Sequence, residues 1–338
     1  MKAFVQTRYG APDEVLSLRD VARPTIRDDE VLVRVRAASM HPDIWHTVYG
    51  VPYALRIMGG GLRRPKNPIL GTDVAGVVEA VGDAATRFRV GDAVFGEIVS
   101  GNQWTNGGAY AEYAAARESR LAPKPAAVTF EQAASVPTSA LIALRAVRGE
   151  GRVRSGQSVL VNGAGGGVGT MAVQIARASG AHVTAVDSSA KADMLRTIGA
   201  ERVIDYARDD FTGGGDRYDL ILDLAGNHRW REVRRALTPH GTYVLIGDQH
   251  VYGGSNHRWI GSLGRFLGLM VRSSFDRRLP GVRAFRTTDD DPMATVADLV
   301  EAGSIVPVVD RTYPLSGVVD AIRHMETGTA RGRIVITI

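Results

Sequence analysis

The stretch from Val159 to Gly169 reads VLVNGAGGGVG and decides the fold of this 338-residue chain. Its apolar start predicts a buried strand over residues 158–162, and its glycines predict a tight turn that opens a helix over residues 169–179. A side chain in such a turn would keep a bound diphosphate away from the backbone N–H groups. The helix N-terminus adds unpaired N–H donors and a partial positive charge. The predicted phosphate-binding residues are Gly163, Ala164, Gly165, Gly166, Gly167, Val168 and Gly169.

The sequence after this turn alternates between apolar strands and helices. A strand over 182–187 ends in the acidic residue Asp187, about 20 residues after the turn, where a dinucleotide-binding unit places a carboxylate on the ribose. Further strands are predicted over 202–204, 220–224 and 243–246, and helices over 190–198 and 230–237. This alternation predicts an α/β protein with a doubly wound parallel sheet of the Rossmann type. Glycines that serve only a tight connection are the alternative.

The first third of the chain has a different pattern. Short valine-rich strands are predicted over 2–6, 30–37, 73–81 and 93–98, separated by glycine turns, which is typical of a compact β-barrel domain. The pattern changes near residues 123–125, after which a helix is predicted over 130–150 with its start at Thr129. A final strand over 333–338 is expected to rejoin the β domain. The predicted domains are therefore 1–123 with 304–338, and 124–303.

The composition excludes several classes of protein. The chain has no cysteine, which excludes disulfides, thiolate catalysis and thiolate-bound zinc. Its formal net charge of +5 comes from arginines interleaved with acidic residues, so no nucleic-acid partner is expected. Because no membrane span or signal peptide is visible, we expect a cytoplasmic protein. The amphipathic segment 250–280 predicts a lid or a subunit contact, with a membrane-surface role as the alternative.

Segments along the whole chain resemble one family. They include MKAFV, VLVRVRAAS, NPILGTDVAGVVEAVGDAATRFRVGDAVFG, GGAYAEYA, NGAGGGVGTMAVQIA, IGAERVIDY and VPVVDRTYPLSGVVDAIRHMETGTARGRIVI. In this order they resemble the medium-chain dehydrogenase/reductase superfamily, and within it the zinc-free quinone oxidoreductase branch. The resemblance implies a GroES-like β-barrel domain split between both chain ends, a Rossmann domain between them, a cleft between the two domains for nicotinamide and substrate, and a homodimer.

The zinc positions of this family carry other residues here. Zinc-dependent members use a cysteine after the VLVRV-type strand and a His-Glu pair after a glycine, whereas this chain has His41 and the pair Thr72-Asp73. The four-cysteine structural lobe is also missing from the sequence. Because His41, Asp43 and His46 lie close together, a metal site is an alternative. We expect instead that no metal is bound, and that the histidines donate hydrogen bonds in the cleft or satisfy buried polar groups.

The resemblance also implies which residues meet the substrate and the nicotinamide. The expected proton donors are Tyr53 and His41, with His46 and Tyr49 behind them. Tyr53 lies close to where related reductases carry a cleft tyrosine, and an ordinary packing role is its alternative. Thr138 resembles the family's residue near the nicotinamide ribose, and Gly247 is expected to place backbone near the carboxamide.

The residues around the end of the second Rossmann strand bear on the choice of cofactor. Asp187 suits NAD, because a carboxylate there binds the ribose 2′-hydroxyl and repels a 2′-phosphate. Zinc-free relatives with a serine, a lysine and a downstream tyrosine in this region mostly use NADPH, and this chain has Ser188, Ser189, Lys191 and Tyr206. The prediction is NADPH, with NAD(H) as the alternative.

These features predict a metal-free oxidoreductase that transfers a hydride from NADPH to a quinone or an α,β-unsaturated carbonyl. A conjugated acceptor suits such a site because it does not require a Lewis acid to polarise it. An enoyl-thioester reductase and a zinc-free alcohol dehydrogenase are alternatives on the same fold. The thioester alternative would use a basic surface formed by Arg258, Arg265, Arg272, Arg277 and Arg278. A protein that binds NADPH without turnover is the alternative from another class.

Overall fold

The computed structural model describes residues 1–99, 106–247, 259, 261, 263–280 and 291–338, and all structural statements below refer to these residues. The strands are β1 Lys2–Gln6, β2 Leu16–Asp20, β3 Glu30–Met40, β4 Asp73–Val81, β5 Ala93–Glu97, β6 Tyr113–Arg117, β7 Leu121–Pro123, β8 Ser158–Asn162, β9 His182–Asp187, β10 Arg202–Asp205, β11 Tyr218–Asp223, β12 Leu237–Leu245, β13 Val309–Pro314 and β14 Arg333–Thr337. The helices are α1 Pro12–Val15, α2 Asp43–Tyr49, α3 Tyr53–Leu55, α4 Phe130–Ala134, α5 Pro137–Leu144, α6 Gly167–Ala178, α7 Ala192–Thr197, α8 Trp230–Val233, α9 Leu263–Arg272, α10 Pro292–Glu301 and α11 Val318–Glu326.

The two ends of the chain form one β domain. Its main sheet has the strand order β13-β14-β3-β4-β5-β7, with β6 also paired to β3, and β1 pairs with β2 in a separate hairpin. The predicted return of the C-terminal strand is confirmed, because β14 lies antiparallel to β3 with Ile334 opposite Met40. This pairing brings Arg333, at the start of β14, next to the last residue of β3.

A parallel sheet with the order β10-β9-β8-β11-β12 forms the second domain. All four strand pairs are parallel, as a sheet built from strand–helix–strand units requires. Its central strand β8 is buried along most of its length, because helices cover both faces. The predicted Rossmann sheet is therefore confirmed, and the order reverses at β8, the strand that runs into the glycine-rich turn.

Helix boundaries differ from the prediction where proline or strand pairing intervenes. The predicted helix start at Thr129 is confirmed, and Thr129 forms a capping box with Gln132. The helix predicted over 130–150 nevertheless divides into α4 and α5, because Pro137 lacks an N–H to continue the hydrogen-bond ladder and instead starts a new helix. The helix predicted over 230–237 ends at Ala236, since Leu237 already pairs with Tyr218 in the sheet. Helix α6 starts at Gly167, two residues earlier than predicted.

The segment 250–280 is described only at residues 259, 261 and 263–280, so the rest of that prediction lies outside the described residues. Helix α9 occupies part of it and exposes Leu267, Met270 and Val271. Of the helices that the structure describes, none is long and apolar enough to cross a membrane.

Candidate active site

Most N–H groups of the glycine-rich turn already donate hydrogen bonds within the protein. The amides of Gly163 and Ala164 both donate to the carbonyl of Val186, and the amide of Gly165 donates to Asp187 Oδ2 at 2.7 Å. The amide of Gly166 makes only a long contact of 3.5 Å with the carbonyl of Gly163. The N–H groups of a helix's first turn have no partner within the helix. The N–H groups of this turn that remain for a ligand are therefore those at the start of α6, residues 167–169.

The glycines at this turn are required by close approaches of neighbouring groups. Gly163 has a φ of +84°, which other residues rarely adopt. A Cβ atom on Gly169 would lie 2.4 Å from the carbonyl oxygen of Gly163, and one on Gly167 would lie 2.2 Å from Nε of Arg333. The turn therefore fits the backbone-lined cradle that a diphosphate requires.

Arg333, which the sequence reasoning missed, lies against this cradle. Its side chain is buried, with Nε donating to Ser139 Oγ at 2.6 Å and Nη1 donating to the carbonyl of Met40 at 3.1 Å. The preceding residue, Gly332, donates its amide to the carbonyl of Gly165 at 2.8 Å, which fixes the strand start to the turn. An anion at this point would be attracted by the guanidinium and by the N-terminus of α6 together.

The far end of the cradle is closed by an ion pair. Asp187 Oδ1 accepts from the amide of Ser188 at 2.8 Å and lies 3.5 Å from Nζ of Lys191, and both side chains are 9% exposed. Because its other oxygen binds Gly165, the Asp187 carboxylate is directed to the turn and its charge is compensated. Ser189 and Tyr206 are exposed on the rim beside it.

His41 and Asp43 form a pair at the end of β3. Nδ1 of His41 lies 2.8 Å from Asp43 Oδ2. The Asp43 amide is 3.3 Å from the same nitrogen, and the shorter contact indicates that Nδ1 donates to the carboxylate. Burial raises the pKa of Asp43, but the charge and hydrogen bond of His41 outweigh it and hold this pKa below its ordinary value. Nε2 of His41 is buried and has no hydrogen-bond partner among the described residues.

His41 and Asp43 line a cleft, called here the first cleft, together with Ser39, Thr72 and Tyr110. A second cleft is lined by His46, Arg56 and Lys66 among others. The two clefts share Thr47 and Asn106, so they adjoin. Their positions put the His41 side of the first cleft next to the cationic side chains of the second.

A buried acidic cluster lies behind the first cleft. Thr138 Oγ1 donates to Asp73 Oδ1 at 2.5 Å and lies 3.1 Å from Glu97 Oε1. One hydroxyl hydrogen serves only one of these oxygens, so the two contacts together require a proton on a carboxyl group, and we assign it to Glu97 below about pH 7. Burial, followed by the negative charge of Asp73, raises the pKa of Glu97 to about 7. Burial also raises the pKa of Asp73, although its hydrogen bonds with Thr138 and Ser39 oppose this.

Thr138 was predicted near the nicotinamide ribose, and the structure places it in this acidic cluster. Its side chain is 2% exposed, and its amide also points to the Asp73 carboxylate at 3.3 Å. A contact with a ribose would require the hydroxyl to exchange Asp73 for the sugar. Gly247 lies just after β12, where its amide donates to the carbonyl of Asp223.

The other predicted proton donors have partners of their own. His46 lines the second cleft, and Nδ1 lies 2.7 Å from the carbonyl of Val51, so this nitrogen carries the hydrogen. Burial lowers the pKa of His46, which keeps its imidazole neutral at pH ~7. The Tyr49 hydroxyl donates to Glu326, and burial together with this charge raises its pKa to about 12. The ring of Tyr53 packs on the guanidinium of Arg56 and on Trp259.

Helix α9 is attached to the Rossmann domain through Arg265. Its guanidinium donates to the carbonyls of Gly226 and His228 and lies 3.3 Å from the hydroxyl of Tyr243. The half-buried guanidinium of Arg265 is therefore bound by the Rossmann domain, which leaves it less available to a thioester phosphate. Arg258, another member of that predicted surface, lies outside the described residues.

Comparison with known proteins identifies the family. Residues 27–126 match the alcohol dehydrogenase GroES-like domain, and residues 198–336 match the zinc-binding dehydrogenase family. A 2-methylene-furan-3-one reductase from Solanum lycopersicum is 30% identical, over 99% of this chain and 79% of its own length. This chain is a medium-chain dehydrogenase/reductase. It belongs to the quinone oxidoreductase-like branch of that superfamily.

Two solved structures show the same fold over the whole length. The quinone oxidoreductase from Coxiella burnetii has 28% identity and a TM-score of 0.82, covering 100% of this chain and 99% of its own. A mycobacterial protein complexed with NADPH has 26% identity and a TM-score of 0.78, covering 100% of both chains. The GroES-like and Rossmann assignments of the sequence analysis are thereby confirmed.

Two of the side chains at the zinc positions of the medium-chain dehydrogenase/reductases, His41 and Asp73, are bound here to neighbouring side chains. His41 is paired with Asp43, and Asp73 accepts from both Thr138 and Ser39. In the part of the chain that the structure describes, no three His, Cys, Asp or Glu side chains are grouped so that they could hold a metal ion. The donor set therefore does not fit the tetrahedral nitrogen and sulfur site of a zinc dehydrogenase.

Proposed function

We propose that this chain reduces quinones or α,β-unsaturated carbonyls with NADPH and without a metal ion. One observation carries the proposal: Arg333 touches both halves of the site. Its guanidinium lies against Gly167 at the start of α6 and also binds the carbonyl of Met40, the residue before His41. A dinucleotide whose diphosphate binds at Arg333 would therefore have its reactive end close to the first cleft.

His41 is the proposed proton donor to the acceptor. When bound, NADPH supplies a hydride to a carbon of the conjugated acceptor, and negative charge develops on the acceptor oxygen. His41 lines the first cleft, and its Nε2 has no hydrogen-bond partner among the described residues, so when both ring nitrogens carry hydrogen Nε2 is placed to deliver a proton to that oxygen. Asp43 holds the imidazole in one orientation by accepting a hydrogen bond from Nδ1. His46 is less suited, because burial lowers its pKa and its Nδ1 hydrogen is donated to the carbonyl of Val51.

The compensated charge of Asp187 supports NADPH rather than NADH. A free carboxylate at this position would repel a 2′-phosphate. Here the carboxylate accepts from the amides of Gly165 and Ser188 and is paired with Lys191. The remaining groups at the rim, Ser189 and Tyr206, are neutral and exposed, so the site can accept the additional phosphate.

Several predictions from the sequence stay part of this proposal. We propose a homodimer in the cytoplasm, with domain boundaries after residues 123 and 303. The metal-free reaction is supported by the donor set, since His41 binds Asp43 and Asp73 binds Thr138. The roles of Tyr53 as a second proton donor and of Gly247 beside the carboxamide are proposed on the resemblance alone.

The decisive experiment is an NADPH-oxidation screen over quinones, enones and enoyl-CoA esters, with zinc quantified in the same preparation. We expect turnover with quinones or enones in protein that contains far less than one zinc per chain. Comparison of His41→Ala with Tyr53→Phe decides between the two predicted donors, and we expect the larger loss for His41→Ala. Turnover of enoyl-CoA esters alone would replace the proposal with its thioester alternative, and NADPH binding without any turnover would contradict an enzymatic role.

A further inference from the structure

The second cleft carries two positive charges. Arg56 and Lys66 both line it, and the other polar side chains in its wall are those of Tyr9, His46, Thr47, Asn67 and Asn106. His46 is neutral because burial lowers its pKa. The polar lining of this cleft is therefore cationic and otherwise uncharged in the described part of the wall.

Arg56 is held in a fixed direction without a carboxylate partner. Its Nε donates to the carbonyl of Gly50 at 2.6 Å, and its guanidinium lies 4.3 and 4.6 Å from the ring centres of Tyr9 and Tyr53. Aromatic faces and carbonyl oxygens orient a guanidinium but do not neutralise it. Nη2 also donates to the carbonyl of Tyr49 at 3.3 Å, so the N–H groups left for an anion are those of Nη1 and the second one of Nη2.

Lys66 adds a second uncompensated cation at the mouth of the same cleft. Its side chain is exposed, and within the described residues neither Lys66 nor Arg56 forms an ion pair with an acidic side chain. In the interior, by contrast, the buried Lys191 forms an ion pair with Asp187. A cationic cleft without internal compensation attracts an anionic ligand.

We propose that the second cleft selects acceptors that carry a small anionic group, such as a carboxylate, beside their conjugated ring or chain. The inference rests on the proposed function, since the reacting end of the acceptor would lie in the adjoining first cleft beside His41. The anionic group would meet Arg56 in the interior of the cleft and Lys66 at its mouth. Tyr53 then contributes by positioning Arg56 through its ring.

The test compares two acceptors of one ring system, menadione and a naphthoquinone sulfonate, in four proteins. These are the wild type, Lys66→Gln, Lys66→Arg and the control Arg63→Gln, which removes the same charge from an exposed residue that does not line the cleft. The readout is the ratio of kcat/KM for the sulfonate to kcat/KM for menadione. We expect this ratio to decrease about fivefold in Lys66→Gln, and to stay at the wild-type value in Lys66→Arg and Arg63→Gln. Added salt should reduce the wild-type ratio.

An equal ratio in all four proteins would overturn the inference while leaving the proposed function intact. If neither quinone is reduced, the quinone part of the proposed function fails, and the cleft is then tested by calorimetric binding of naphthalene sulfonate against naphthol. Tighter binding of the sulfonate, weakened in Lys66→Gln and retained in Arg63→Gln, would support an anion-selective cleft without that reaction. Equal binding of the two probes would overturn it.

Discussion

Glu97 keeps its proton in the folded protein at a pH at which an ordinary glutamate has lost it. The side chain is 7% exposed, and burial followed by the charge of Asp73 raises its pKa from 4.5 to about 7. A group whose pKa is raised by folding stabilises the protein while it keeps its proton, and this contribution is lost as the pH rises. The contribution of Glu97 is therefore fully present below about pH 4.5 and is lost as the pH rises through about 7.

The substitution Glu97→Gln tests this assignment, because glutamine has nearly the shape of a protonated glutamate and does not titrate. A tenfold change in proton affinity corresponds to about 1.4 kcal/mol, so the rise from 4.5 to about 7 corresponds to about 3 kcal/mol in the free energy of unfolding. At about pH 5 the variant and the wild type should agree within about 1 kcal/mol. At about pH 8.5 the variant should be more stable by about 3 kcal/mol.

Urea unfolding followed by tryptophan fluorescence at both pH values measures the difference. The control is Glu301→Gln, the same chemical change at an exposed residue at the end of α10, for which we expect the same small effect at both pH values. If the stability difference between Glu97→Gln and the wild type does not change with pH, Glu97 ionises like an exposed glutamate. The assignment of a proton to Glu97 at its contact with Thr138 would then be wrong.

Three further predictions concern the reaction. Asp43→Asn removes the carboxylate that orients His41, so kcat with a quinone should fall about 10- to 100-fold with little change in the KM for NADPH. An unchanged kcat would show that the role of His41 does not depend on Asp43. Arg333→Gln should weaken NADPH binding about tenfold in a fluorescence titration, because a charge-assisted contact with the diphosphate is lost, and equal affinity would place the diphosphate elsewhere. Lys191→Met leaves the Asp187 charge uncompensated, so the ratio of kcat/KM for NADPH to that for NADH should fall about tenfold, whereas a constant ratio would show that Lys191 has no part in cofactor choice.

The central part of the fold was predictable because its signals are local. The strand predicted before the glycine-rich turn has the bounds of β8, and the strand that ends in Asp187 has those of β9. Gly163 has a positive φ, which favours glycine whatever its neighbours are. A short apolar run between turns is typical of a parallel strand that is covered by helices on both faces. The start of α4 at Thr129 was also predictable, since a capping box involves only four consecutive residues.

The part of the site that depends on distant contacts was not predictable in this way. Arg333 and Ser139 are hydrogen-bonded although they are 194 residues apart, and Glu97 meets Thr138 only because α5 packs on the β domain. A signal for Arg333 did exist, since it is a lone charged residue at the start of the apolar strand RIVIT. Its partner, however, could not be read from the sequence. The same holds for the cations of the second cleft, which α3 and the turn after it bring together.

The central claim is that a nicotinamide dinucleotide binds between α6 and Arg333 and reacts in a cleft that needs no metal ion. The most direct measurement is the rate of NADPH oxidation by a quinone in chelator-treated protein, with bound zinc quantified in the same sample. We predict an unchanged rate in protein depleted of zinc. Loss of turnover on depletion and its recovery when zinc is returned, or a failure to bind either pyridine nucleotide, would contradict this account.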